Sequence, residues 1–151
     1  MTYLQAAMAS ASLMLWPGPG HPGQVTGWTW TLYEGEGPLV LANEMPDTPQ
    51  LRTTFECTRG SGVARLSVYG GPLGGGFASV TSGPGAASAQ VQAEPGRDGK
   101  LSLAVRTDHP VFGQFLTTGD LAVTIGGQRQ AVTVETAHLA KLRRFADLCG
   151  G

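Results

Sequence analysis

Charged side chains are scarce in this sequence. They make up 14% of its 151 residues, against about 25% in an average soluble protein. Ten basic and eleven acidic residues leave a formal net charge of −1 at pH 7. Binding to nucleic acid or to anionic membranes through charge needs a basic surface, and a disordered chain combines low hydrophobicity with high net charge. The composition therefore favours a folded protein and gives no indication of a nucleic-acid partner.

Long hydrophobic runs and clustered metal ligands are also lacking. The apolar stretch at residues 4–16 is shorter than the roughly 20 residues that a transmembrane helix needs, so we expect no integral membrane segment. The three histidines, at positions 21, 109 and 138, are scattered along the chain. Zinc sites use three or four ligands, and their spacings bring local pairs together. We therefore predict no metal site and no cofactor.

The N-terminal region carries no charged side chain, since the first one is Glu34. Residues 4–16 have the length of the apolar part of a signal peptide but lack the Lys or Arg that precedes it. Residues 17–23 read PGPGHPG, a composition typical of a linker. We predict an apolar segment and Pro/Gly linker over residues 1–24, which is either a degenerate export signal or an ordered segment. Residues 25–151 then form a single β domain with a C-terminal helix.

Alternation of apolar and polar residues predicts β-strands. Residues 25–32 read VTGWTWTL, in which Trp28 and Trp30 fall on the same face of a strand. Two further regions, residues 51–69 and residues 121–134, each contain two alternating stretches joined by a turn with glycine. This pattern indicates two β-hairpins.

A glycine-rich stretch without charge interrupts this alternation. Residues 66–93 contain no charged side chain, and seven glycines lie between residues 70 and 85. We expect a loop there, with short strands near residues 77–81 and 89–93. A phosphate-binding P-loop needs Lys and Ser or Thr directly after its last glycine. Neither follows here, so the loop is interpreted as structural.

Helical patterns occur in two places near the C-terminus. A proline at the first position and Gly119 after the last predict a short helix near residues 110–118. From Leu139 onward, apolar residues recur every three or four positions, with Thr136 as the predicted N-cap and Gly150 at the end. The predicted fold is mainly β. We expect an antiparallel β-sandwich or barrel-like domain of seven or eight strands, with these two helices.

The two cysteines, Cys57 and Cys149, lie far apart in the sequence. An even count is compatible with one long-range disulfide, and two buried thiols are the alternative. If the C-terminal helix packs on the sheet, Cys149 can approach Cys57 at the end of a strand. A disulfide would indicate a periplasmic or secreted protein, whereas free thiols would indicate a cytoplasmic one.

The order of several short motifs resembles that of a known group. The motifs are Trp-x-Leu at 30–32, Phe-x-Cys at 55–57, Gly-Ser-Gly-Val at 60–63, Gly-Asp-Leu at 119–121 and a C-terminal Phe…Cys pair at 145 and 149. Over most of residues 28–149 the chain resembles a group of small, uncharacterised, exported bacterial proteins. The resemblance implies export and a bridge between Cys57 and Cys149. It gives no indication of an activity.

Contact residues are predicted from the aromatic pair and from the glycine-rich stretch. If exposed, Trp28 and Trp30 could stack on a sugar or a peptide, and the alternative is that they form the centre of the core. Gly74, Gly75 and Gly76 leave backbone accessible to a ligand or partner. An exposed strand edge could accept a partner strand, including one from a second copy of the chain. We expect a protein or a small ligand as the partner.

The sequence favours a non-enzymatic, exported binding or accessory module, because no catalytic motif is present. Ser61, for example, lies between two predicted strands and not at the strand-to-helix turn of a nucleophile elbow. One alternative is a hydrolase with a dispersed site that uses Asp108, His109 or Asp120. A cleft that contains two of these three would favour it. A second alternative is a structural subunit of a cell-envelope assembly.

Overall fold

The described part of the protein begins close to the first predicted strand. The structure is a computed structural model that describes residues 27–71, 76–94 and 99–151. The predicted N-terminal segment 1–24 and two of the predicted contact residues, Gly74 and Gly75, lie outside the described residues.

Nine strands and two helices are found in these ranges. The strands are β1 (Thr29–Tyr33), β2 (Leu39–Glu44), β3 (Leu51–Cys57), β4 (Val63–Tyr69), β5 (Gly76–Ser82), β6 (Gly85–Glu94), β7 (Lys100–Arg106), β8 (Asp120–Ile125) and β9 (Gln128–Thr133). The helices are α1 (Pro110–Thr118) and α2 (Leu139–Gly150). All strands pair antiparallel in one sheet of order β1-β2-β3-β4-β7-β6-β5-β8-β9. The sheet is curled into a half-barrel, which confirms the predicted mainly β, barrel-like class.

The two predicted hairpins are confirmed. In the first, β3 pairs with β4 and Phe55 lies opposite Leu66, so both side chains point into the core. In the second, β8 pairs with β9 across Gly126 and Gly127, whose φ angles are 54° and 79°. Positive φ at both turn residues is the requirement of a two-residue hairpin turn that matches the twist of the strands.

The two short strands predicted near residues 77–81 and 89–93 are present, and they extend further into the predicted loop than expected. Residues 76–82 and 85–94 form the hairpin of β5 and β6, in which Ser82 lies opposite Gly85. Small residues such as these have weak strand propensity, but Ala78 and Val80 are buried and helix α1 covers this part of the sheet. Packing thus decides the local structure where composition indicated a loop.

The core is organised around one phenylalanine. Phe55 on β3 is surrounded by Trp30 of β1, Phe112 and Phe115 of α1, and Phe145 of α2, with ring centroids 5.4 to 6.5 Å from its own. All five side chains are almost fully buried. Aromatic pairs at such distances add to the stabilisation from burial, so Phe55 joins both helices to the sheet.

Both predicted helices are present, with one corrected start. Helix α1 occupies residues 110–118 as predicted, and Gly119 caps it with a left-handed φ of 76°. Thr136 is not the N-cap of the last helix, because it begins a 3-10 turn over Thr136–His138. The helix α2 starts at Leu139 and includes Gly150. A 3-10 turn is a common way for a helix to begin, and sequence pattern alone does not distinguish the two.

A disulfide bond links the end of α2 to the sheet. It joins Cys57, the last residue of β3, to Cys149, with 5.7 Å between the two Cα atoms. Both cysteines are buried. Next to the bridge, the backbone N–H groups of Gly60 and Gly62 donate to the carbonyls of Leu148 and Cys149. The predicted proximity of the two cysteines is confirmed.

Candidate functional site: a polar cleft at the seam of the half-barrel

The edge strands β1 and β9 approach each other at a gap that we call the seam. The indole Nε1 of Trp30 on β1 donates to the carbonyl of Thr133 on β9 at 3.0 Å. The Nζ of Lys141 on α2 donates to the carbonyl of Trp30 at 2.6 Å. Edge strands present backbone groups without a strand partner. These two side chains therefore each satisfy one edge carbonyl. The Trp30 hydrogen bond crosses the seam, and the Lys141 hydrogen bond joins α2 to β1 beside it.

A cleft of about 370 Å³ lies beside the seam, and we call it the seam cleft. Its floor is a row of buried residues across four strands, in which Trp30 lies opposite Asn43, Asn43 opposite Thr53, and Thr53 opposite Val68. The remaining lining residues are Arg52, Tyr69, Gln130, Ala131, Val132, Thr133 and Glu135. The cleft is larger than those of about 290 and 210 Å³ elsewhere in the described chain.

Asn43 is the unusual member of this floor. It lies on the same face of β2 as Leu39 and Leu41, and only 8% of it is exposed. Its side-chain carbonyl Oδ1 is buried and has no hydrogen-bond partner among the described residues. An unsatisfied buried acceptor costs about 1–3 kcal/mol. This acceptor therefore lies under the floor of the cleft, shielded from solvent by its neighbours.

A β-bulge brings Arg52 to the rim of the cleft. Asn43 pairs with Thr53, but the next residue of β2, Glu44, pairs with Leu51. Arg52 is therefore an extra residue in β3, and such bulges redirect a side chain out of the regular alternation. The guanidinium carbon of Arg52 lies 4.0 Å from the centroid of the Trp28 ring, a cation–π contact that holds the arginine in place.

The charges of the seam cleft lie at its edge and not on its floor. Of the described residues that line the cleft, Arg52 on the bulge and Glu135 after β9 carry charge, and both are exposed. The floor is neutral and combines an amide and a hydroxyl with apolar carbon. This arrangement can bind a polar molecule through hydrogen bonds to the end of the molecule that reaches the floor. The opposite charges of Arg52 and Glu135 leave the rim without net charge.

The sequence-predicted contact residues differ in their surroundings. Trp30 is only 1% exposed and belongs to the core as well as to the cleft floor. Trp28 is half-buried beneath Arg52. Gly76 is exposed at the start of β5 with a φ of 110° and is not among the residues that line the seam cleft. The contact roles of Trp28 and Gly76 stay predictions.

The three residues of the hydrolase hypothesis have separate contacts. Asp108 forms an exposed ion pair with Arg106 at 2.6 Å, and this guanidinium holds the pKa of the Asp108 carboxyl below its usual value. Asp120 accepts a hydrogen bond from the Thr133 hydroxyl.

His109 is the N-cap of α1, and its Nδ1 accepts from the backbone N–H of Val111 at 3.1 Å. It lines the cleft of about 210 Å³ with residues 87–89 and 104–106. Neither Asp108 nor Asp120 is among the residues that line this cleft. The charge of His109 is a minor cause of the lowered pKa of Asp108, but His109 shares this cleft with neither carboxylate.

Sequence reasoning missed the residues that build the seam cleft. Asn43 had a usable signal, because it follows the apolar run LVLA at residues 39–42 and takes a position that faces the core. The bulge at Arg52 has no such signal. The approach of Gln130 and Glu135 also depends on how the sheet curls, which alternation does not encode.

Comparison with known proteins adds no assignment. The chain matches no protein-family model, no curated protein and no solved structure. Within the described ranges, no helix combines the length and the hydropathy needed to cross a bilayer. In the same part of the chain, no three His, Cys, Asp or Glu residues lie close enough together to hold a metal ion.

Proposed function

We propose that this protein is an exported, non-enzymatic binding module that holds a small polar ligand in the seam cleft. The observation that carries the proposal is the lining of the cleft, in which the neutral polar side chains of Asn43, Thr53 and Gln130 lie between Arg52 and Glu135 at the rim. A concave site with a few such hydrogen-bonding groups is typical of a ligand site.

Binding is favoured over catalysis by the types of side chain around the cleft. Among the residues that the structure describes, those that line the cleft include one carboxylate, Glu135, and no histidine, cysteine or serine. General acid–base catalysis needs positioned groups that exchange protons with the substrate, and covalent catalysis needs an activated nucleophile. Amides, hydroxyls and one guanidinium instead provide hydrogen bonds that orient a ligand.

Export is supported by the disulfide. Disulfides persist in the periplasm and outside the cell and are rare in the cytosol of most organisms. The bridge between Cys57 and Cys149 lies in the core of the described fold. It therefore supports a periplasmic or secreted location, in agreement with what the motif resemblance implies.

The proposal is tested by NMR titration of the ¹⁵N-labelled, oxidised protein. The probes are neutral sugars (glucose, galactose, N-acetylglucosamine), amino acids (glycine, alanine) and anions (acetate, inorganic phosphate). We expect one chemical class to cause saturable shifts of the Trp30 indole N–H and of the side-chain amides of Asn43 and Gln130. If all seven compounds leave these signals unchanged, the proposal is wrong.

A further inference from the structure

We infer that the ligand of the seam cleft is a neutral polyhydroxylated compound, recognised through one sugar ring. This inference rests on the proposed function, because it names the chemical class that the same cleft binds. The argument depends on four features of the cleft: the neutral floor, the mixture of donors and acceptors, the alternation of polar and apolar side chains in the floor, and the volume.

The neutral floor disfavours a charged group at the buried end of the ligand. The deepest polar side chains are Asn43 and Thr53, which are 8% and 6% exposed, and neither carries a charge. An ammonium or carboxylate placed against them would lose its hydration without gaining an opposite charge. A hydroxyl has no such cost when it is hydrogen-bonded. The group that reaches Asn43 should therefore be neutral.

The hydrogen-bonding groups of the cleft are mixed. The carboxylate of Glu135 accepts, the guanidinium of Arg52 donates, and the Gln130 amide and the Thr53 hydroxyl do both. A phosphate or carboxylate only accepts, so it would pair with Arg52 but be repelled by Glu135. An ammonium only donates, so it would pair with Glu135 but be repelled by Arg52. Sugar hydroxyls donate and accept, so they match every group in this set.

The row of residues that forms the floor contains both polar and apolar side chains. The polar pair Asn43 and Thr53 lies between two apolar side chains, Trp30 and Val68, in strand register. A sugar ring has the same character, because its hydroxyls lie around the edge while its C–H groups form apolar faces. The volume of about 370 Å³ is at the small end of the range of about 300–1,000 Å³ for ligand pockets. It accommodates one ring better than an extended peptide.

The same ring could come from a free monosaccharide or from the end of a glycan. Both present the hydroxyl chemistry that the cleft recognises, and the experiment separates them by chain length. Glucose, galactose and N-acetylglucosamine are compared with cellobiose, lactose and chitobiose. A disaccharide that binds more tightly than its monosaccharide indicates the end of a glycan, and equal affinity indicates a free sugar.

Isothermal titration calorimetry and NMR test the inference on the oxidised full chain. We expect at least one neutral sugar to bind saturably at the cleft, and glycine, alanine, acetate and phosphate to cause no shift there. Asn43→Leu should weaken that binding at least about tenfold without lowering the melting temperature. Thr53→Val removes only a hydroxyl from the floor, and it should weaken binding even if the Asn43 variant fails to fold.

A matched pair on β9 provides the control. Gln130 lines the cleft, whereas Gln128 is exposed on the same strand and is not among the lining residues. Gln130→Ala should weaken sugar binding and Gln128→Ala should leave it unchanged.

The outcomes are distinct. Saturable shifts at Asn43 from an amino acid or an anion, with none from sugars, would overturn the sugar inference and leave the proposed function standing. If neither Asn43→Leu nor Thr53→Val weakens sugar binding, the sugar binds elsewhere, and the sugar inference and the proposed function are both wrong. If no probe shifts the signals of the cleft residues, the sugar inference and the proposed function are also both wrong.

Discussion

The indole N–H of Trp30 donates to the backbone carbonyl of Thr133 across 103 positions of sequence. This hydrogen bond joins the first and last strands of the described sheet, which have no strand-to-strand pairing with each other in the order of the half-barrel. A single core side chain thus packs against Phe55 with its ring and closes the seam with its nitrogen. The same residue forms one end of the cleft floor, so closure of the seam and shape of the cleft are linked.

Trp30→Phe tests this link. The variant keeps an aromatic ring in the core but removes the donor to Thr133, so we expect a loss of about 2 kcal/mol in the free energy of unfolding. Amide hydrogen exchange should accelerate in β9 before it accelerates in β3 or β4. Urea denaturation and exchange measured by NMR check both expectations. Unchanged exchange in β9 would show that the hydrogen bond does not hold the seam.

The disulfide should be present in protein purified from an oxidising compartment. Alkylation of the denatured protein followed by intact mass should find Cys57 and Cys149 blocked, and both should become reactive after reduction. The bridge closes a separation of 92 residues, for which the chain-entropy model gives up to about 4–5 kcal/mol. The double variant Cys57→Ala/Cys149→Ala should therefore unfold at a clearly lower temperature. Two free thiols in the oxidised preparation would contradict the export proposal.

Gly119→Ala should destabilise the junction between α1 and β8. Gly119 has a φ of 76°, and an added Cβ would lie 2.2 Å from the carbonyl oxygen of Val134. The matched control is Gly126→Ala in the β8–β9 turn, where φ is 54° and no atom lies within 4 Å of the added Cβ. Both variants carry the strain of a positive φ, about 1 kcal/mol or more, but only Gly119→Ala also carries the clash. Chemical denaturation should therefore show a clearly larger loss for Gly119→Ala, and equal losses would contradict the close approach.

An ion pair between Glu34 and Arg144 should make part of the stability depend on pH. Arg144 on α2 donates to the carboxylate of Glu34, which follows β1. The hydrogen bond from this guanidinium, and secondarily its charge, hold the pKa of Glu34 below the usual value of 4.5. Because the folded-state pKa is the lower one, the contribution is fully present above the unfolded pKa. It is lost as the pH falls through the folded pKa.

Glu34→Gln is the variant that measures this contribution. It should be slightly less stable than the wild type at about pH 7, and the two should converge at about pH 2. Added salt should reduce the difference at neutral pH, because the pair is partly exposed and surface pairs contribute little. Glu36→Gln, at an exposed acid in the same loop, serves as the control. A difference between Glu34→Gln and wild type that grew toward low pH would have the wrong sign and exclude this role.

The sequence pattern predicted those parts of the fold that are formed by residues close together in the chain. The β3–β4 and β8–β9 hairpins follow from alternation and turn residues, and α1 follows from proline and glycine at its ends. Strand β2 had no such signal, because both of its faces are covered. Leu39 and Leu41 point inward and Ala42 is buried on the other face, so the run LVLA does not alternate between apolar and polar.

The candidate site could not be predicted from the sequence, and the physical reason differs from that for β2. It forms where residues remote in sequence meet, such as Asn43 on β2 and Gln130 on β9, and their meeting depends on the curl of the whole sheet. The bulge at Arg52 likewise depends on how β2 and β3 pair, and the alternation of apolar and polar residues within β3 does not indicate it. Only Asn43 could have been noticed, as one polar side chain on the core face of an apolar strand.

Asn43→Leu should increase stability while it weakens ligand binding. Leucine branches at the same side-chain carbon as asparagine and has no polar atom. The variant therefore eliminates Oδ1, which is buried and has no hydrogen-bond partner among the described residues. We expect a gain of about 1 kcal/mol in the free energy of unfolding, measured by urea denaturation without ligand. Stabilisation of this kind at the expense of function is the usual result when a binding residue is replaced by a packing residue. A purely structural Asn43 predicts the opposite sign, because its removal would then break contacts that hold β1, β2 and β3 together.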